Sequence, residues 1–190
     1  MWFIKGSALK SKLAGSPFIW LTAIATVYEF TGTIMLEIES NYWFHFYILL
    51  EFVALHYFFS KLLRPQFNIF FKTTLLLFVV FYIVSCFPAG YFIASSITKT
   101  MTPLFVITGS TLWIRKLFIE MKVPNLWKNS DFYFVSGFLL YYTSTFFFFL
   151  LSDSIFNLNS NFYDYWLVNI IAAFIFRILL SIGTWQMRSN

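Results

Sequence analysis

An all-helical membrane bundle of six spans is the fold this sequence predicts, and three observations predict it. Hydrophobic residues make up 59% of the 190-residue chain and charged ones only 11%, against about 25% charged in soluble domains. The apolar residues gather into six segments, 17–36, 42–62, 70–88, 101–119, 131–151 and 164–186. Each is near the roughly 20 residues that a helix needs to cross hydrocarbon. The Phe146-Phe147-Phe148-Phe149-Leu150-Leu151 run has none of the alternation of a membrane β-strand. The spans are expected to be helices.

Residues 1–16 interleave Lys5, Lys10 and Lys12 with apolar residues and contain no long apolar run before a small-residue cleavage site. They predict a short amphipathic cytoplasmic segment rather than a cleaved leader. Span one follows, with Thr22, Thr26, Glu29 and Thr33 on one helical face beside Ala25 and Gly32. Small residues and threonines on a shared face suit close helix contact and hydrogen bonds across it. A tight outer turn is expected over 37–41. In span two, Trp43, Tyr47 and Glu51 recur every four residues, whereas His45 and His56 occupy another face. Those histidines stand about 16 Å apart in height, too far for one metal ion.

Arg64-Pro65-Gln66 breaks the chain on the inner side before span three, and Pro88-Ala89-Gly90 ends that span. Residues 89–100 are expected as an outer loop. Span four carries Thr108, Ser110 and Thr111, and Lys122-Val123-Pro124-Asn125 separates it from span five. Span five holds Ser136, Gly137, Tyr141, Ser144 and Thr145, and the polar stretch 152–161 is expected as the longest outer loop. These hydroxyl stripes suit either interhelical hydrogen bonding or a hydrated interior. Span six places Asn169, Ala173, Arg177, Ser181 and Thr184 on one face.

Charge sets the orientation. Lys5, Lys10, Lys12, Lys61, Arg64, Lys72, Arg115, Lys116, Lys122, Lys128 and Arg188 fall on one side of this arrangement, and only Lys99 on the other. The positive-inside rule then puts both termini in the cytoplasm, and the cell inner (cytoplasmic) membrane is the expected location. The net charge of +5 is dispersed over several segments, which reads as topology rather than a nucleic-acid surface. Cys86, the single cysteine, cannot form an internal disulfide and is expected to pack within an apolar span. No phosphate loop, dinucleotide glycine motif, zinc-protease motif or nucleophile elbow occurs, so no cofactor or metal is expected.

Glu29, Glu51 and Arg177 are the exceptional residues, each near the middle of a different apolar segment. A charge at that depth costs about 2.5–3.5 kcal/mol on insertion scales, and such residues usually face the bundle interior and pair. A core cluster is therefore expected, with Arg177 paired to Glu29, Glu51 or both, and the surplus carboxylate held protonated near neutral pH by burial and its neighbour. His45, Tyr47, His56, Tyr141 and Asn169 complete the candidate ligand-binding or structural set.

Three stretches also resemble a known family. Asn41-Tyr42-Trp43-Phe44-His45-Phe46-Tyr47 with Glu51-Phe52, Phe132 through Gly137 with Tyr141-Tyr142, and Asn169-Ile170 with Ser181 through Trp185 are similar to segments of small multi-pass membrane proteins of Bacteroidota. Glu29 and Gly32 match that family's early Glu-x-x-Gly. The family often has one further span at its start and carries no established activity. Its members look like stand-alone relatives of membrane sensor parts. The expected function is a non-enzymatic membrane module that binds a partner protein or senses a small or lipidic ligand, assembling with itself or another membrane protein. The alternatives are a proton-linked transporter or channel using Glu29 and Glu51, and a membrane-embedded lipid-modifying enzyme.

Overall fold

A computed structural model describes the backbone of residues 2–36, 41–63, 66–87, 91–120, 126–157 and 162–189. Side chains are described over 14–28, 30–32, 35–36, 43, 45–63, 66–87, 97–119, 126–146 and 167–187. The described chain is helical throughout. Its elements are α1 (Trp2–Tyr28) with a π-helical continuation (Glu29–Met35), α2 (Asn41–Leu63), α3 (Asn68–Ser85), α4 (Tyr91–Glu120), a short 3-10 turn (Leu126–Lys128), α5 (Ser130–Asn157) and α6 (Phe162–Ser189). Three stretches within them, His45–Leu63, Asn68–Ser85 and Leu167–Met187, are long and apolar enough to cross a membrane.

Two compact units divide the chain, Met1–Thr102 and Pro103–Asn190. In the first, α2 packs against both α1 and α3. The α1 seam is Ala14, Phe18, Leu21 and Ala25, all buried at three- and four-residue steps, as one face of an α-helix requires. Flanked on two sides, α2 buries a broad arc that includes Phe52, Ala54, Leu55, Phe58, Phe59 and Leu63. Helix α3 buries only Phe71, Phe78 and Ser85, one residue every seven, which is a single narrow seam. Its other side leaves Ile69, Leu76, Val80 and Ile83 exposed, a surface suited to hydrocarbon.

In the second unit α5 and α6 form a closely packed antiparallel pair. Helix α6 contributes Ala172, Phe176, Leu180 and Gly183, and α5 contributes Phe134 and Phe138. Glycines make room for side chains of the facing helix. A Cβ at Gly183 would stand 3.1 Å from the Phe134 ring, and one at Gly137 would stand 3.3 Å from Phe176 and Leu179. The α5 N-terminus is capped by Asn129, whose side-chain oxygen accepts from the Asp131 N–H at 3.0 Å.

The helices run longer than the apolar segments predict. Residues 91–100, expected as loop, are the first turns of α4, because Thr98 and Thr102 are buried in line with Val106, Ser110 and Trp113. Residues 152–157 continue α5, since a helix keeps its backbone groups bonded whatever its side chains. At the start of the chain α1 passes through Pro17 without a break, so the amphipathic segment and the first span are one helix. The expected turns at 37–40, 64–65, 88–90, 121–125 and 158–161 lie outside the described residues.

Candidate functional site

The first two turns of α2 separate two aromatic clusters by helical phase alone. Trp43 and Tyr47, four residues apart, turn toward α1; His45, between them, turns toward α3. The Trp43 ring stacks on Tyr28 with centroids 4.2 Å apart and lies 6.3 Å from Tyr47. Tyr28 is the last α-helical residue of α1, and the π-helical stretch starts at Glu29. Such stretches are rare and often mark functional positions. Gly32 lies against the Tyr28 ring, which a Cβ there would meet at an ordinary contact distance of 3.4 Å. The indole Nε1 of Trp43 is buried and has no acceptor among the described residues. An unpaired buried donor costs about 1–3 kcal/mol.

His45 stacks on Tyr82 of α3 at 4.9 Å, and the Tyr82 hydroxyl donates to the His45 carbonyl at 3.4 Å. Its Nε2 lies 3.5 Å from Ser85 Oγ and 3.7 Å from Cys86 Sγ. From there a ladder of rings runs down the α2–α3 seam. Tyr82 meets Phe78 at 6.2 Å, Phe78 lies parallel to Phe52 at 3.7 Å, and Phe52 meets His56 at 6.1 Å. At the far end His56 sets its ring edge-on to Phe71 and its Nε2 3.0 Å from the Phe71 carbonyl. A carbonyl only accepts, so that nitrogen carries the proton. The two histidines therefore close opposite ends of one interface, as their eleven-residue spacing predicts, and neither approaches the other.

The residues of the expected Glu–Arg core cluster are described one by one, each within its own unit. The side chain of Glu29 lies outside the described residues, Glu51 is half-buried in the first unit, and Arg177 belongs to the second. Arg177, expected inside, is exposed. Phase explains it: Phe176 and Leu180 hold the seam against α5, and Arg177 sits one residue, about 100°, around the helix. The polar stripe of Arg177, Ser181 and Thr184 consequently faces away from α5, while Ala173 and Asn169 are half-buried at its edge. The Asn169 Oδ1 is buried without a partner among the described residues. Tyr141 stacks on Phe176 at 4.8 Å and serves α5–α6 packing.

Many hydroxyls of the described residues bond within their own helix. Thr22, Thr26, Thr31, Thr74, Thr108, Thr111, Ser144, Thr145, Ser181 and Thr184 each donate to the carbonyl four residues back in their own helix. In an apolar surrounding that is the nearest acceptor, and it lets a hydroxyl face lipid without an unpaired proton. Ser110 is the exception, buried with its oxygen unpartnered among the described residues. Sequence reasoning missed Tyr82, Ser85 and Cys86 as neighbours of His45. Their spacing of three and four places them on one face at the end of α3, and Cys86 is exposed in the turn beyond it rather than packed.

No family model, curated protein or solved structure matches the chain.

Proposed function

We propose that this chain is a non-enzymatic, multi-pass inner-membrane module with cytoplasmic termini, and that it binds a membrane partner through the polar face of α6. The observation that carries the reading is the exposure of Arg177 at the middle of the Leu167–Met187 span. At 1.5 Å per residue the guanidinium's own Cα lies about 15 Å from either end of that span, and half of a hydrocarbon core is also about 15 Å. A cation exposed on the α6 surface at that depth is far from the headgroups on either side. A carboxylate on a neighbouring membrane helix answers both the charge and the five N–H donors. Ala173, Ser181 and the adjoining Thr184 supply the small surface that such a helix needs for close approach.

Model transmembrane helices of Leu and Ala with a single central Glu or Gln test this. Energy transfer in liposomes between the helix and the protein, labelled at its single cysteine, reads association. Tighter association with the Glu helix supports the reading; equal association with both refutes it.

A second reading, sensing of a small or lipidic ligand, is favoured by the unpaired Trp43 indole beside the π-helical turn at Glu29. It predicts that an acceptor-bearing lipid, such as a diacylglycerol ester, shifts Tyr28–Trp43 fluorescence in a manner lost in Trp43→Phe. No lipid-dependent difference between the two proteins would retire it. A proton-linked transport role for Glu29 and Glu51 remains a third proposal, and absence of ion flux in liposomes under a pH gradient would end it.

A further inference from the structure

We propose that the occupant of the α6 polar face is a separate chain and not a second copy: a membrane helix that carries one Asp or Glu with small residues four positions to either side. The inference rests on the reading that α6 recruits a carboxylate through Arg177, and it names the helix that supplies it. The relief of α6 sets the shape. Phe174, Ile178 and Ile182 are large, exposed and four residues apart, and they form one ridge. Ala172, Phe176 and Leu180 form another, buried and in contact with α5. Between the two runs the row Ala173, Arg177 and Ser181, whose one long side chain is the arginine. Helices pack by laying a ridge of one into such a furrow of the other.

Small side chains on both helices let their axes approach to about 8 Å, the close end of the usual range. A leucine one turn from the partner's acid would meet Ala173 or Ser181 and hold the axes apart. Because the row is small on both sides of Arg177, the same pattern suits a parallel or an antiparallel partner. Ser181 Oγ donates to the Arg177 carbonyl at 2.9 Å, so toward a neighbour it presents lone pairs. The donors of the row are then those of the guanidinium, which a carboxylate matches in charge and in geometry.

The chain's own helices fit this furrow poorly. Two copies joined here about a two-fold axis would set Arg177 against Arg177, like charges in the middle of the bilayer. Glu51 stands four residues from Tyr47 and from Leu55, neither of them small, and Leu55 is fully buried within its own unit. The helix that leads into Glu29 has Ala25 one turn before it, and Ala25 is already buried in the seam with α2.

The test uses the full chain in liposomes, labelled at Cys86, which is exposed and its single cysteine. Three leucine-based helices of equal length are offered: central Glu with Gly four positions to either side, central Glu with Leu there, and central Gln with Gly there. Energy transfer reads association. We expect the Glu helix with Gly flanks to bind about tenfold more tightly than the Glu helix with Leu flanks. Ser181→Leu, at an exposed position, should shrink that advantage by filling the furrow beside an intact Arg177. Equal binding of the two Glu helices, both above the Gln helix, would overturn this inference and leave the carboxylate reading standing. Equal binding of all three would overturn both. Copies of the chain with donor and acceptor labels are also mixed in the same liposomes. Transfer between copies that is no lower in Arg177→Leu than in wild type supports a separate partner. Transfer that Arg177→Leu abolishes would make a second copy the occupant and overturn the proposal.

Discussion

Replacing Arg177 by leucine should move stability and association in opposite directions. Arg177 is exposed and its neighbours Phe176 and Leu180 make the α5 contact, so the substitution leaves that seam intact. Its carbonyl still accepts from Ser181 Oγ at 2.9 Å, because that bond uses the backbone. On insertion scales Arg costs about 2.5–3.5 kcal/mol at mid-span whereas Leu gains about 0.3–0.6. The variant span should therefore enter a bilayer more favourably by about 3–4 kcal/mol. Helix association through a polar contact in lipid is worth about 1–2 kcal/mol in model peptides. Removing it should weaken binding of a central-Glu helix about 5- to 30-fold, at 1.4 kcal/mol per factor of ten. Glycosylation-based insertion of the α6 segment reads the first effect, and energy transfer in liposomes reads the second. An Arg177→Leu protein that loses thermal stability while binding the Glu helix unchanged would refute the reasoning, since it would place Arg177 in an internal ion pair.

Three substitutions test the packing that positions the clusters. Gly183→Leu should lower stability by about 1–3 kcal/mol, the usual cost of overpacking, because even a Cβ would meet the buried Phe134 ring at 3.1–3.3 Å; thermal unfolding in mild detergent measures it. His56→Leu should cost about 1 kcal/mol more than His56→Gln, since only the amide can still donate to the Phe71 carbonyl, and equal losses would show that the bond contributes nothing. Trp43→Phe should change stability by less than about 1 kcal/mol, because the indole N–H has no acceptor among the described residues and Phe keeps a ring on Tyr28; a loss above about 2 kcal/mol would mean that an acceptor is present.

Helical phase was the most legible information in the chain. The separation of Trp43 and Tyr47 from His45 and His56 follows from spacing, and the structure sends the two sets to α1 and α3 respectively. Helix ends were less legible. The breaks were read from polar composition, yet 91–100 and 152–157 are helical, because backbone hydrogen bonding outweighs the polarity of a few side chains near an interface. The side of α6 that carries Arg177 is a different case. On α6 the polar stripe through Asn169, Ala173, Arg177 and Ser181 and the packed stripe through Ala172, Phe176 and Leu180 run parallel, one residue apart. Spacing identifies both stripes but not which one meets α5, and burial follows the aromatic one. The hydroxyl stripes carry little positional information, because a threonine's own helix offers an acceptor that a neighbouring helix need not supply. The link from His45 to Cys86 joins residues 41 apart, and no local pattern reports that contact.

A charge swap at Arg177 tests the central claim most directly. Association of Arg177→Glu protein with model helices carrying a central Lys or a central Glu would be measured side by side with wild type in the same liposomes. The account predicts that wild type selects the Glu helix and that the variant reverses the preference to Lys. If both proteins bind the two helices alike, the polar face of α6 is not a recognition surface.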